Sequence, residues 1–450
     1  MLTSTSRVPV TESVGHELRS LLSPITPEAF VREYWAKKPL FVKGFPDKYK
    51  GLFDGGTFIR ALSLPGAVPD DFLHASFDKK SGSRSSQASN AADEWSSHPF
   101  KARLDQAVPL FKAGATLCVT QMETRAPALV PFLAAIKRQL GYPGKVCFNA
   151  YLSPPGAGFN WHFDGRIAST LQIEGTKVWR FSNLPAVCWP RGNGALRGDG
   201  IGQYSDPRAA TENWEPIAPF DEKDTTEVLL EPGDLLILPG GTWHEACGGT
   251  SGSLALNLSF TAISYTLLVR SLLDEMLTHD DGWRGPTPLL PLSGGQPGEV
   301  DPDGIAAIAR QLAGAADALR SLAGDSATVA RLWGAFVQSP NPGSPAPPSP
   351  QVAVTPVVAA QRLRVRSDGD LYATLADGGS RLCITLGNGR RVEVTGGAVR
   401  FVQRILTVKE FVASDCLGWN PAGAPFAWAD VEGLLNKLKG DGLIEDCRGA

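Results

Sequence analysis

The chain holds six histidines among 450 residues, so a histidine beside an acid is worth testing for chemistry. His162 sits two residues before Asp164 in GFNWHFDG, between a Gly/Pro-rich turn and an apolar run. On a strand, residues i and i+2 point to one face. An imidazole and a carboxylate would then project together. They would supply two ligands of a two-histidine, one-carboxylate set, the arrangement that leaves positions open on Fe(II). The third ligand should be a histidine on a neighbouring strand. LEPGDLLILPGGTWHEA offers His244 after a tight turn and a buried strand. His16, His74, His98 and His279 fall in segments that read as helix or loop, so His244 is the favoured partner by elimination. An HxD pair alone is more often a satisfied polar pair. The combination with His244, in a chain short of histidines, favours a metal.

Lys177 follows in ASTLQIEGTKVWRF, which reads as strand, Gly175 turn, strand. A lysine facing into a barrel needs an anion to compensate it, and a dicarboxylate co-substrate would serve. A lysine on the outer face would simply be solvated. Trp161 and Trp243 each precede a candidate ligand histidine. They either wall the pocket or pack the sheet.

The elements that must position these residues begin at 145. KVCFNAYLS, ASTLQIEG, KVWRFSN, TEVLLEPGD, LLILPGG and LALNLSFTAI are short strands punctuated by Gly, Pro, Asn and Asp, as in a β-sandwich or barrel. Upstream, Thr26, Pro27 and Glu28 form an N-cap, first position and first-turn acid of a helix, PLFVKG is a short strand, and ALVPFLAAIKRQLG is a helix with a glycine stop. Residues 78–97 are Ser-rich and read as a surface loop. Residues 263–283 and 303–338 read as helical. QSPNPGSPAPPSP (338–350) marks a Pro-rich linker, assigned with its flank to 341–360. In the last unit, LRVR, LYATL, RLCITL and RRVEVT read as strands. AVRFVQRIL, TVKEFVAS and WADVEGLLNKLKGDG read as helices.

Bulk properties narrow the class. The length exceeds one ordinary core, and 43% hydrophobic with 20% charged residues suits a globular protein. A net charge of -3 gives no basic field for nucleic acid. The seven cysteines are scattered without a CxxC pair, which fits reduced thiols and a cytoplasmic location. No apolar run of membrane-spanning length and no secretory leader pattern is apparent.

NAYLSPPGAGFNWHFD, TLQIEGTKVWRF and EPGDLLILPGGTWHEA together resemble the Jumonji-C-type ribosomal oxygenases, cupin-like protein hydroxylases. EYWAKKPLFVKG, FKAGATLCVTQME and LLNKLKGDGLIE are similar to that family's lead-in and C-terminal elements. The resemblance implies a mixed α and β chain. A double-stranded β-helix core with a helical lead-in would span 1–262, a helical dimerisation region 263–340, and a winged-helix-like domain 361–450. It implies Fe(II) on His162, Asp164 and His244, and 2-oxoglutarate paired with Lys177, the basic residue fifteen positions after His162. Asn149 and Tyr151 match the family's Asn-x-Tyr, with Tyr151 assisting the co-substrate. It further implies a homodimer that hydroxylates a side chain of a protein or peptide, a ribosomal protein among the candidates. After Asp164 the chain departs from the family's pattern with Gly165, Arg166, Ala168 and Ser169. That departure leaves a peptide natural product or small molecule open as substrate. Apart from it, a non-catalytic cupin-type binding protein stays open as a different class, which would not need Lys177. The mixed charge of the last helix favours protein contact over nucleic acid.

Overall fold

The computed structural model describes residues 17–64, 72–77, 100–261, 264–277, 281–286, 302–339, 355–366, 371–386, 391–420 and 424–447. The 78–97 stretch, residues 340–354 of the Pro-rich linker, and His16, His98 and His279 lie outside the described residues. The chain divides into two compact units, Met1–Ala262 with Pro340–Pro345, and Ile263–Ser339 with Ala346–Ala450.

The first unit is built on one antiparallel sheet of twelve strands. In chain order these are β1 (Leu40–Val42), β2 (Leu73–Ser76), β3 (Phe100–Lys101), β4 (Thr116–Val119), β5 (Val146–Ser153), β6 (Gly158–Phe163), β7 (Ala168–Ser182), β8 (Gly194–Leu196), β9 (Gly202–Tyr204), β10 (Thr225–Leu230), β11 (Leu235–Leu238) and β12 (His244–Phe260). The main path runs β1-β11-β7-β12-β5-β4-β2-β3. β10 adds to β7, and β6, β8 and β9 branch from β12. Two long strands, β7 and β12, pair along their length and carry most of the sheet.

The core lies between this sheet and the helical lead-in. Helix Val130–Leu140 buries Phe132, Leu133 and Ile136. Phe132 stacks on Phe148 of β5 with ring centroids 5.8 Å apart, and full burial of such a side chain is worth about 1.5–3 kcal/mol. Gly141 ends the helix at φ 60°, the left-handed conformation a side chain resists. Thr26 Oγ1 caps the short turn Pro27–Ala29 by accepting from the Ala29 amide. The PGD turn before β11 docks the lead-in. Asp234 is fully buried, accepts from the Gly44 and Glu231 amides at 2.8 and 2.9 Å, and pairs with Lys43 at 3.0 Å. β1 then pairs with β11 in register, Leu40 opposite Ile237.

Bulges decide what faces the interior. Gly175 does not turn the chain, as its sequence suggested. It sits at φ +64° within a continuous β7, still paired with Ser253. The ladder on both sides outweighs the kink, so the strand bends instead of reversing. The irregularity shifts which residues face inward, from Ala168 and Thr170 to Lys177 and Trp179. β12 has a matching irregularity between Gly248 and Ser253.

The second unit opens with helices Tyr265–Leu277, Asp281–Arg284, Pro302–Gly324 and Ser326–Val337. Asp325 caps the last by accepting from the Ala327 and Thr328 amides. β13 (Arg362–Val365) pairs with β17 (Glu410–Val412) and β18 (Ile444–Asp446). β14 (Leu371–Ala376), β15 (Arg381–Leu386) and β16 (Arg391–Thr395) form a second sheet. Helices Ala398–Val408 and Trp428–Gly440 pack Val402, Ile405, Leu435 and Leu438 into this unit's core. TVKEFVAS, expected to be helical, is instead split: Thr407 and Val408 end the preceding helix, and Glu410–Val412 is a strand. Lys409 takes φ 65° and ends the helix, and Phe411 pairs with Leu363 across the sheet. Among the described residues, no helix is long and apolar enough to cross a membrane.

Candidate metal centre

β6 carries His162 near its end, β12 begins on His244, and the two stand opposite each other in register. Their ring centroids are 4.2 Å apart. Asp164 follows β6 in a turn held at both ends. Its carbonyl accepts from the Gly241 amide at 2.8 Å, and the Gly165 amide donates to Asn193 Oδ1 at 2.8 Å. The turn brings Asp164 Oδ2 to 4.0 Å from His244 Nε2. One ligand atom from each of His162, Asp164 and His244 lies within 4.8 Å of the others.

The hydrogen bonds fix the tautomers. His162 Nδ1 lies 2.7 Å from the Asn160 carbonyl oxygen, and His244 Nδ1 2.9 Å from that of Thr242. A carbonyl only accepts, so each Nδ1 carries a hydrogen, and in the neutral ring the lone pair is on Nε2. Burial, and then the neighbouring His162, holds the His244 pKa well below the ordinary histidine range. It is therefore neutral near pH 7, the form that ligates. Two imidazole lone pairs and a carboxylate fit a divalent first-row metal.

The three residues open into a cavity of about 360 Å³. Asn149 and Tyr151 enter it from β5, Lys177 and Trp179 from β7. Lys177 is 2% exposed. Its Nζ lies 3.5 Å from Ser153 Oγ and 5.7–5.9 Å from the ring centroids of Tyr151, Phe159 and Trp179. No carboxylate pairs with it among the described residues, and desolvation pushes its pKa down to about 8. A cation left in an apolar box is costly, and a bound carboxylate would remove that cost. Burial also keeps the Tyr151 phenol protonated, its pKa raised well above the usual value. Asn149 Oδ1 accepts from the Gln121 amide at 3.2 Å, which holds the side chain in place.

Of the two roles open to them, Trp161 and Trp243 take the packing one, outside the cavity. Trp161 lies on Phe220 at 4.7 Å, and Trp243 lies on Phe163 at 4.9 Å. The wall tryptophan is Trp179, stacked on His244 at 5.5 Å, and its position two residues after Lys177 was the available signal. Phe159 shares the cavity with His162 although they are three positions apart, an odd spacing on a strand. The register shifts between His244 and Ala246, which face His162 and Phe159, and no sequence pattern marks that shift. His74, read as helix or loop, lies on β2 and lines the cavity. Its short strand is stabilised by pairing with β4, which local pattern does not show.

Residues 134–268, which include all of His162, Asp164, Lys177 and His244, match the family model of the JmjC domain. The chain thus contains a JmjC domain on an antiparallel cupin-type core. It is 30% identical over 247 residues to ribosomal oxygenase 1 of Gallus gallus, covering 54% of this chain and 36% of that protein. It is 27% identical over 278 residues to the uncharacterized protein YxbC of Bacillus subtilis, covering 61% and 79%. The chain spans about a third of the length of the ribosomal oxygenases it matches. The Escherichia coli ycfD structure aligns over 95% of this chain and 99% of that one, at 16% identity and a TM-score of 0.51. A second structure, of the ribosomal oxygenase YcfD in complex with cobalt and 2-oxoglutarate, aligns with a TM-score of 0.50 and 16% identity. The chain is homologous to ribosomal oxygenase 1 and shares the YcfD fold.

Proposed function

We propose that this chain is an Fe(II)- and 2-oxoglutarate-dependent oxygenase that hydroxylates an amino-acid side chain of a protein or peptide. The observation that carries this reading is one cavity in which His162, Asp164 and His244 converge beside a buried, acid-free Lys177. The homology to ribosomal oxygenases and the cobalt and 2-oxoglutarate in the YcfD complex support the same cofactors here.

In this reading His162, Asp164 and His244 hold the metal, which supplies the activation of oxygen. The Asn160 and Thr242 carbonyls, by accepting at Nδ1, keep both Nε2 atoms aimed at the metal position. Lys177 pairs with the far carboxylate of 2-oxoglutarate, and a charge-assisted bond in a dry pocket orients it. Ser153 and Tyr151 hold the Lys177 ammonium in position, while Phe159 and Trp179 exclude water from that end. Asn149 lines the co-substrate wall. A ribosomal protein is the substrate class the relatives' names favour.

The domain roles belong to the same reading: 1–262 catalysis, 263–340 dimerisation, 361–450 a winged-helix-like protein-contact domain, all in the cytoplasm. Exposed apolar side chains on the helices after 263 support a homodimer, with Tyr265 at 87% and Leu312 at 66% exposure. The test is an anaerobic titration of the protein with Fe(II) and then 2-oxoglutarate. A visible metal-to-keto-acid charge-transfer band should form in wild type and weaken in Lys177→Ala. Absence of the band in wild type would leave a cupin-type binding protein.

A further inference from the structure

The cavity holds a second cation that the reading above does not use. Arg166 lies two residues beyond Asp164 and lines the same cavity. Its electrostatic neighbours are Asp164, Tyr151, Cys147 and Cys118. It has no hydrogen bond and no ion pair among the described residues. Other arginines of this unit are satisfied: Arg180 by Glu222 and Glu245, Arg191 by Glu215. The turn that carries Arg166 is anchored through Gly165 to Asn193, and Gly240 packs against the Arg166 backbone. A fixed backbone thus presents a guanidinium without a partner among the described residues.

Charge and depth then separate two anion sites. Asp164 is the one carboxylate among the described residues that line the cavity, and the metal would claim it. Among the described lining residues, no acid remains to receive a cationic side chain. Lys177 is closed off from solvent, whereas Arg166 is exposed. An anion that enters first and goes deep meets Lys177, and a later arrival meets Arg166. A guanidinium presents paired donors matched to a carboxylate, and like charges brought together are strongly disfavoured. We infer that Arg166 is a specificity-determining residue: it anchors a carboxylate of the primary substrate and turns away arginine and lysine side chains. The inference rests on the oxygenase reading for the order of entry, and on the cavity alone for the charge preference.

The test is calorimetric titration of the full chain, with Co(II) and 2-oxoglutarate added first and their own binding heats recorded. The probes are blocked glycine pentapeptides with a central Asp, Glu or Arg, and free N-acetylaspartate. The acidic peptides should bind at least about tenfold tighter than the arginine peptide. Arg166→Gln should abolish that preference, Arg166→Lys should keep part of it, and both should bind 2-oxoglutarate like wild type. Tighter binding of N-acetylaspartate than of the peptides would assign the carboxylate to a small acid, with the same anchor. Equal or tighter binding of the arginine peptide, no binding of any acidic probe, or a preference that survives Arg166→Gln would each overturn the inference. So would an Arg166→Gln protein that loses 2-oxoglutarate as strongly as the acidic probe. A wild type that takes up neither Co(II) nor 2-oxoglutarate but still selects acidic probes through Arg166 would sink the oxygenase reading and leave the anchor standing.

Discussion

In the proposed reading, Lys177 is a single residue that trades stability for binding. Its pKa is down to about 8 because burial strips its water, against about 10.4 in an unfolded chain. Between those values the unfolded state binds more protons, so the ligand-free fold gains stability as pH rises from about 8 to about 10.4. Below pH 8 the penalty of the buried charge is complete. Lys177→Met should therefore raise the melting temperature of the ligand-free protein at pH 7 by a few degrees, roughly 2–4 °C per kcal/mol for a domain of this size. The same variant should lose 2-oxoglutarate binding. Thermal melts across pH 7–10 check both parts, since the slope with pH should vanish in the variant. In wild type, 2-oxoglutarate affinity should stay flat below about pH 8 and fall above it, as the ammonium deprotonates. Asp164→Ala should lower Co(II) affinity by more than about 100-fold, beyond what loss of an outer partner costs. Calorimetry reads that directly, and unchanged affinity would remove Asp164 from the ligand set.

Among the elements, β6 and β12 matter most, because their pairing sets His162 against His244. Gly158 lies at the start of β6, where a Cβ would overlap the Ala246 carbonyl of β12. Gly158→Ala should cost about 1–3 kcal/mol through the forced backbone shift and should also weaken metal binding, because the displaced strand carries His162, a proposed ligand. Denaturant unfolding and Co(II) titration on one sample separate the two effects. Asp234 offers the contrasting case. It is buried, but it ties the PGD turn to Gly44 and Lys43 and lies outside the cavity lining. Asp234→Ala leaves the Gly44 and Glu231 amides without their acceptor, a loss of about 1–3 kcal/mol for a buried unsatisfied group. Metal affinity measured below the melting temperature should not move.

At the scale of the whole molecule, all described cavity-lining residues lie between His74 and Asn257, inside the first unit. The large core cluster runs from Leu18 to Phe260 and draws on no residue of the second unit. A chain ended after 262 should therefore fold and bind Co(II) and 2-oxoglutarate like the full chain. Light scattering should show the full chain as a dimer and the shortened one as a monomer. A shortened chain that still dimerises would refute the dimerisation role of 263–340.

Residue types and short-range spacing set out the proposed chemistry by themselves. HxD, a second histidine after PGD and the lysine after Gly175 are local patterns, although Asp164 reaches His162 from the turn after β6 and not along the strand. Helix ends were legible too, because Thr26 and Gly141 act on their own few residues. What the tertiary structure decided was everything that depends on parity and on partners distant in sequence. Bulges in β6, β7 and β12 chose which residues face the cavity. They brought in Phe159, which no local pattern marks, whereas Trp161 faces outward by plain alternation beside His162. Pairing across the sheet made a strand of His74 and another of Phe411, where the local sequence had suggested otherwise. A one-residue shift in register reverses every side chain beyond it, and that shift is fixed by the neighbouring strands, not by the residues it moves.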